Sequence, residues 1–367
     1  MSAMAPLHAS NARLKSWLFD HALPLWWEVG VDWTRGGFFE RISYDGRPVE
    51  APRRLRVVAR QTWVFAAASE LGWPGPWRDA VEHGLKAIND VYARGDGLYA
   101  ILADASGAVI DNTPAPYEQA FTLLALAGAQ AALGGSFEDQ AVLLRRALHA
   151  AHIVRVDGGV PEHGWLQANP MMHLLEAAQA WERIGGNPGW RTLAQTITNT
   201  ALTKMIDPVT GALCEQYDAG WTAYASADVE PGHQLEWGWL LDAQDGARET
   251  ARRLVEIGET KGAVDGLIIA SLDRNLGHRD LSTRLWAQTE RIHAHACVGN
   301  VHQLPAAMDG LFEFLDAPLT GTWRERMGPD RTFIEEAPPA SSLYHIASAS
   351  LALDRACRNS VKQYQDF

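Results

Sequence analysis

Apolar and polar positions along this chain follow two periods in turn. Six times a Gly opens a short stretch in which apolar and polar residues alternate, and a turn follows. The copies are Gly37-Phe38-Phe39-Glu40-Arg41, Gly97-Leu98-Tyr99-Ala100, Gly159-Val160-Pro161-Glu162-His163, Gly211-Ala212-Leu213-Cys214-Glu215, Gly266-Leu267-Ile268-Ile269 and Gly321-Thr322-Trp323-Arg324-Glu325. Successive Gly lie 52 to 62 residues apart. With turn pairs such as Asp45-Gly46 and Ser106-Gly107 behind them, these stretches predict short strands or hairpins. About twenty residues after each Gly the period changes to that of an apolar, Ala/Leu-rich helix. The predicted helix openings are Ala59-Arg60-Gln61-Thr62-Trp63, Tyr117-Glu118-Gln119-Ala120-Phe121, Asn169-Pro170-Met171-Met172-His173, Gly232-His233-Gln234-Leu235-Glu236, Leu285-Trp286-Ala287-Gln288-Thr289-Glu290 and Leu343-Tyr344-His345-Ile346. More charged, amphipathic segments lie between them, at Trp77–Ala93, Glu138–Val154 and Ala247–Gly258 for example, and Ser10–Ala22 adds one more.

Six apolar helices alternating with six amphipathic ones can close into a ring, apolar helices inside and amphipathic helices outside. A period of this length is long for an open solenoid. The expected fold is therefore all-α: an (α/α)6 barrel of about twelve helices with short β-hairpins at one end. In such a ring the inner helix starts share one pocket. Nothing resembling a linker divides the chain, so residues 1–367 are expected to form one domain.

The charge balance narrows the function. With 367 residues, 47% of them apolar and 21% charged, the chain can bury a large core. A net charge of −12 disfavours nucleic acid and anionic membranes as partners. No apolar run is long enough to span a bilayer, and Met1 to Asp20 lacks a secretory h-region, so a cytoplasmic location is expected, as a monomer or homodimer. Cys214, Cys297 and Cys357 are odd in number and out of metal spacing, which fits reduced thiols. Fifteen Trp are many for this length; much of that is core, but indole faces also stack on sugars.

The segment from Glu230 to Leu241 carries the most chemistry. Pro231-Gly232 stops what precedes it, and His233 and Glu236 then share a helix face near its first turn, framed by Trp237 and Trp239. An imidazole and a carboxylate at a helix mouth suit acid/base work on a polar ligand. His345, in Ser341-Ser342-Leu343-Tyr344-His345-Ile346, is a second helix-start His. His293-Ala294-His295 is a poor chelate, because helical residues two apart do not face each other. His233 and Glu236 could form one edge of a metal site, but no carboxylate cluster accompanies them in sequence, so neither metal nor cofactor is expected.

Val57-Val58-Ala59-Arg60, Asn169-Pro170-Met171-Met172-His173-Leu174-Leu175-Glu176, Gly232-His233-Gln234-Leu235-Glu236-Trp237 and Tyr344-His345-Ile346 together resemble the N-acylglucosamine 2-epimerase superfamily over nearly the whole chain. Glu-Trp after His233 resembles its metal-free aldose–ketose isomerase branch, of the mannose-to-fructose type. The resemblance implies two catalytic histidines, His345 and His233, and a sugar pocket containing Arg60, His173, Glu236, Asn169, Tyr117 and Trp286. In that scheme His345 shuttles a proton between C2 and C1 through a cis-enediol. His233 is the second acid/base, Arg60 and His173 hold the enediol oxygens, and Glu236 orients His233 or binds a hydroxyl. Tyr117, Asn169 and Trp286 shape the pocket. One departure is Arg56, where isomerases often have an aromatic residue. With Arg53, Arg54 and Arg60 it forms a basic cluster that leaves a phosphorylated sugar open, and 2-epimerisation is the alternative reaction.

Plainer readings stand beside these. His173 after two Met fits a satisfied core His; Tyr117 and Trp286 fit packing; Arg53, Arg54 and Arg56 fit a solvated face. Arg60 in an apolar helix is costly unless it pairs or faces a pocket. The rival enzyme class is a glycoside hydrolase using two of Glu118, Glu236 and Glu290, in which the Arg and His residues have no clear task. A non-catalytic sugar-binding protein would explain the Trp but not the paired histidines.

Overall fold

The computed structural model describes residues 4–365, with side chains through Ser360. Its helices in chain order are α1 (Ala5–Trp17), α2 (Leu23–Glu28), α3 (Leu55–Leu71), α4 (Trp77–Ala87), α5 (Pro116–Leu133), α6 (Glu138–Ala150), α7 (Ala168–Arg183), α8 (Pro188–Thr200), α9 (Pro231–Asp242), α10 (Arg248–Gly262), α11 (Leu285–Val298), α12 (Leu304–Leu315) and α13 (Leu343–Gln365). The six-residue α2 continues α1 through a π-turn at Leu18–Ala22, and similar π-turns extend α4 and α8.

Two kinds of helix follow from two kinds of pattern. In α9 every residue from Pro231 to Leu241 is buried, as an all-round apolar helix must be. Helices α3, α5, α7, α9, α11 and α13 each pack on the next, and α13 returns to α3, which closes the ring. The outer helices bury only a stripe. In α8 this is Trp190, Leu193, Ala194 and Ile197, at helical spacing. Helices α4, α6, α8, α10 and α12 lie against α3, α5, α7, α9 and α11, and α1 lies against α13. The fold is thus the expected (α/α)6 barrel. Inner and outer rings approach closely: a Cβ on Gly238 of α9 would sit 2.5 Å from Val255 Cγ2 of α10.

Three small antiparallel sheets sit at the ring's N-terminal end. Their strands Arg53–Arg54, Trp165–Gln167 and His278–Arg284 run directly into α3, α7 and α11. The expectation of a hairpin before each inner helix is met only in part. Leu267–Leu272 with His278–Arg284 is a long hairpin, but the copies at Gly37, Gly97 and Gly211 form single bridges, such as Ala93 with Tyr99 and Ile206 with Leu213. Glutamine side chains add a tie from the inner helix to the strand residue. Gln119, Gln234 and Gln288 are each the fourth residue of an inner helix. Each amide accepts from and donates to the backbone of one strand residue, Tyr99, Leu213 and Ile268, at 2.8–3.0 Å. That residue is always the second after the repeat Gly, so hairpin and helix are locked in register. At five of the six repeats the glycine itself supplies a left-handed turn, and at Gly159 the preceding Gly158 does. At Gly321 (φ +90°) a Cβ would also lie 2.7 Å from the His21 carbonyl oxygen, so no side chain fits. Here Trp26 stacks on Trp323 at 5.1 Å and donates to the Gly321 carbonyl at 3.2 Å. Both indoles are buried, and such rings typically contribute roughly 1.5–3 kcal/mol each or more.

Candidate active site

Because all inner helices start at the same end, their second and third residues form one rim and their sixth residues a second rim one turn deeper. Tyr117, Asn169 and Trp286 are second residues, and His233 and His345 third; Arg60, His173, Glu236 and Glu290 are sixth. Helix α3 starts at Leu55, a turn earlier than the predicted opening at Ala59, which puts Arg60 on the deeper rim. All eight expected site residues, His345, His233, Arg60, His173, Glu236, Asn169, Tyr117 and Trp286, line one cavity of about 620 Å³.

Each of the three histidines is oriented by a carboxylate through Nδ1. His233 lies 2.8 Å from Glu215 and 3.6 Å from Glu230. Burial lowers its pKa, but these two carboxylates outweigh it and raise the imidazole to about 10, so it is cationic at neutral pH. His345 Nδ1 lies 2.7 Å from Glu290 Oε1. Burial, and then the Arg60 charge, hold His345 well below its ordinary value, while burial and the neighbouring Glu236 push Glu290 well up. The two titrate as a pair sharing the Nδ1···Oε1 proton. No described residue bonds to Nε2, which is left to the cavity. Trp286 stands between the two rings, its centroid 4.9 Å from His233 and 5.9 Å from His345. His173 is 3.2 Å from Glu176, whose other oxygen accepts from Tyr344, and burial lowers this imidazole to about 4. Burial also raises Glu236 to about 8, which makes it a hydrogen-bond donor near neutral pH.

Arg60 lies over the Phe121 ring at 4.1 Å and donates to Tyr117 Oη at 2.6 Å and to the Ser341 carbonyl at 3.3 Å. Its Nε, Asn169 Oδ1 and Glu236 Oε1 are buried without a hydrogen-bond partner among the described residues. Buried polar atoms are normally satisfied, so unsatisfied ones at a cavity point to a polar ligand. The rest of the basic cluster is spoken for. Arg53 pairs with Asp32 at 2.5 Å, Arg54 with Glu40 at 2.8 Å and Arg56 with Glu118 at 3.2 Å.

The fold supplies the carboxylates that are not adjacent in sequence. His173, Glu176 and Glu236 form one group with donor atoms within 4.8 Å of one another, and Glu215, Glu230 and His233 form another. In both, the Nδ1 that would bind a metal already faces a carboxylate oxygen at hydrogen-bond distance. His293 and His295 diverge as their spacing requires: His293 stacks on Trp239 at 3.9 Å, and His295 bonds Glu259 at 2.9 Å. Trp237 and Trp239 do not line this cavity. Trp237 is fully buried, and Trp239 donates to Glu290 Oε2 at 2.9 Å behind His345. Glu215 and Glu176 are thus missing from the expected site, while Glu290, expected among the pocket residues without a part in the isomerase, and Trp239, expected to frame a ligand, both stand behind His345. One signal could have found the first: Glu40, Glu215 and Glu325 follow a repeat Gly by three or four residues, and each bonds a residue at an inner helix start, namely Arg54, His233 and Ser342.

The sequence profile of the N-acylglucosamine 2-epimerase (GlcNAc 2-epimerase) family matches residues 37–349. The chain belongs to this family. It is therefore an enzyme of sugar isomerisation or epimerisation. A protein of Rhizobium meliloti (strain 1021) named mannose-6-phosphate isomerase is 37% identical, over 95% of this chain and 97% of its own. The fold matches a cellobiose 2-epimerase from Bacillus thermoamylovorans B4167 (TM-score 0.84, 18% identity, 95% of this chain and 100% of the other). It matches a D-mannose isomerase structure equally well (TM-score 0.82, 19% identity, 95% and 97%). No described helix is long and apolar enough to cross a membrane.

Proposed function

We propose that this single-domain enzyme interconverts an unphosphorylated aldose and its 2-ketose, mannose and fructose being the test pair, by histidine-mediated proton transfer through a cis-enediol. The observation that carries the reading is the unlike charge of two histidines flanking Trp286. His233 is held cationic by two carboxylates and is built as an acid; the His345–Glu290 pair presents a bare Nε2 once it has lost a proton and is built as a base. In the proposed sequence His233 protonates the ring oxygen as the sugar opens and regains a proton from the O1 hydroxyl. His345 Nε2 then takes the C2 proton and returns it to C1, while a proton passes from the O2 hydroxyl to O1. Arg60 stabilises the charge developing on O1 and O2, where fixed donors in a dry site act strongly, and neutral His173, its Nδ1 proton held by Glu176, accepts from an enediol hydroxyl through Nε2. Glu236, Asn169 and Tyr117 bind the remaining hydroxyls, and the Trp286 ring packs on an apolar sugar face. None of these steps requires a Lewis acid, and occupied Nδ1 atoms in both carboxylate–histidine groups support metal independence.

A neutral substrate is favoured because Arg53, Arg54 and Arg56 already hold carboxylates, and a phosphate would have to displace them. The name of the Rhizobium meliloti relative favours the second reading, a sugar phosphate. Parallel incubations with mannose, mannose 6-phosphate and an oligosaccharide followed by product analysis separate the reactions: fructose supports the isomerase, glucose a 2-epimerase, turnover of the phosphate alone the second reading, and cleavage of the oligosaccharide without these a hydrolase.

A further inference from the structure

We infer that Trp239 is a positioning residue for the base: its indole N–H fixes Glu290 and, through Glu290, aims His345 into the cavity. This rests on the proposed role of His345. Trp239 does not line the 620 Å³ cavity that holds the eight site residues, so it cannot stack on a sugar there. It is 8% exposed, and its Nε1 lies 2.9 Å from Glu290 Oε2, while Glu290 Oε1 lies 2.7 Å from His345 Nδ1. Both oxygens of a buried carboxylate are thereby assigned, which leaves Glu290 one orientation and His345 one tautomeric partner. The indole is itself immobilised: it lies nearly parallel (11°) to His293 at 3.9 Å, and Ser348 Oγ is 3.2 Å from His293 Nδ1. A lone core tryptophan would need only the packing. The aimed N–H is what a positioning role adds.

The N–H favours the ionised form of Glu290, since it can only donate. Other charged or titratable groups face the pair from every side: Arg60 of α3, His173 and Glu176 of α7, His233 and Glu236 of α9, and Arg284 at the end of the long hairpin. Trp239→Phe leaves all of these and the stack on His293 in place and removes one donor. Without it the pair holds its proton to higher pH, so the base is available only in more alkaline solution.

The test compares wild type with Trp239→Phe and His293→Leu. For Trp239→Phe the acid limb of the kcat/KM–pH profile is expected to move up by about one pH unit and kcat at neutral pH to fall about tenfold, the worth of one hydrogen bond to a charged group, with KM within about twofold. His293→Leu, which removes the stack and keeps the N–H, is expected to lower Tm and leave the limb in place. An unmoved limb in a folded Trp239→Phe enzyme would overturn the inference, as would a limb moved equally by His293→Leu. If the Phe variant does not fold, the wild-type indole resonances decide in ¹⁵N-Trp-labelled enzyme. One indole N–H shift, perturbed by Glu290→Gln, should titrate with the midpoint of the kinetic limb; a set of flat indole shifts would overturn the inference. The NMR titration needs no substrate, so failure of wild type to isomerise mannose would sink the functional reading separately.

Discussion

Replacing Glu215 by Gln removes one charge from His233 and keeps the shape of the contact. His233 Nδ1 lies 2.8 Å from Glu215 and 3.6 Å from Glu230, and the two hold the imidazolium to about pH 10 against the opposing effect of burial. Against an ordinary 6.5 that rise corresponds to roughly 4–5 kcal/mol of interaction as a ceiling. A hydrogen bond to a charged group is worth roughly 1.5–3 kcal/mol, so Glu215→Gln is expected to lower His233 by about 1–2 units. If His233 is the acid, activity falls where it deprotonates. The alkaline limb of the kcat–pH profile should therefore move from near pH 10 to roughly pH 8–9, with little change at pH 6. Stability carries the same sign. A group whose pKa is raised by folding stabilises fully below its unfolded value and loses that contribution as pH rises through its folded value. The variant should thus be less stable by roughly 1.5–3 kcal/mol at pH 6, and the deficit should shrink towards pH 10. Rate profiles and urea unfolding at both pH values measure this. An alkaline limb that stays in place, or a deficit equal at both pH values, would refute the cationic assignment of His233.

Three further outcomes are expected. His345→Ala should lower kcat by about 10²–10⁴-fold, the usual worth of a general base, and abolish exchange of the C2 hydrogen, whereas His233→Ala should recover in part on a sugar richer in open-chain form; near-normal turnover by either would remove that residue from the mechanism. Activity should survive dialysis against EDTA, and complete loss restored by one divalent ion would show that a carboxylate–histidine group holds a metal. Mannose should give a higher kcat/KM than mannose 6-phosphate, because only Arg60 of the four clustered arginines lacks a carboxylate among the described residues; a large preference for the phosphate would reverse the substrate assignment.

The ring was legible because it repeats. Six glycines mark six left-handed turns or their neighbours, and each starts the same strand–helix unit, so period alone gave the count and the closure. The eight pocket residues were legible because helix starts in a closed ring converge. What escaped is which residue reaches which across elements. Glu215 reaches His233 from a different element 18 residues away, and Glu290 reaches His345 across 55. Trp239 looked like a ligand-facing ring because it lies three residues from Glu236, and a helix face alone does not say which end of the barrel it meets. The start of α3 was misread by one turn because Arg53–Arg54 is a two-residue strand that runs into the helix without a break or a capping side chain. Some repeat copies pair only through isolated bridges, and a glutamine amide from the inner helix holds the strand residue there, at Tyr99 and Leu213.

The central claim is that one base moves a proton between C2 and C1 of an aldose. Incubating the enzyme with mannose in D2O and following the products by NMR tests it most directly. The expected result is fructose, with deuterium at C1 to the extent that the proton held on His345 exchanges with solvent before it is returned, and slow return of label to C2 of mannose. Glucose labelled at C2 with no fructose would contradict it, and unlabelled sugar with no new product would remove proton transfer from the account altogether.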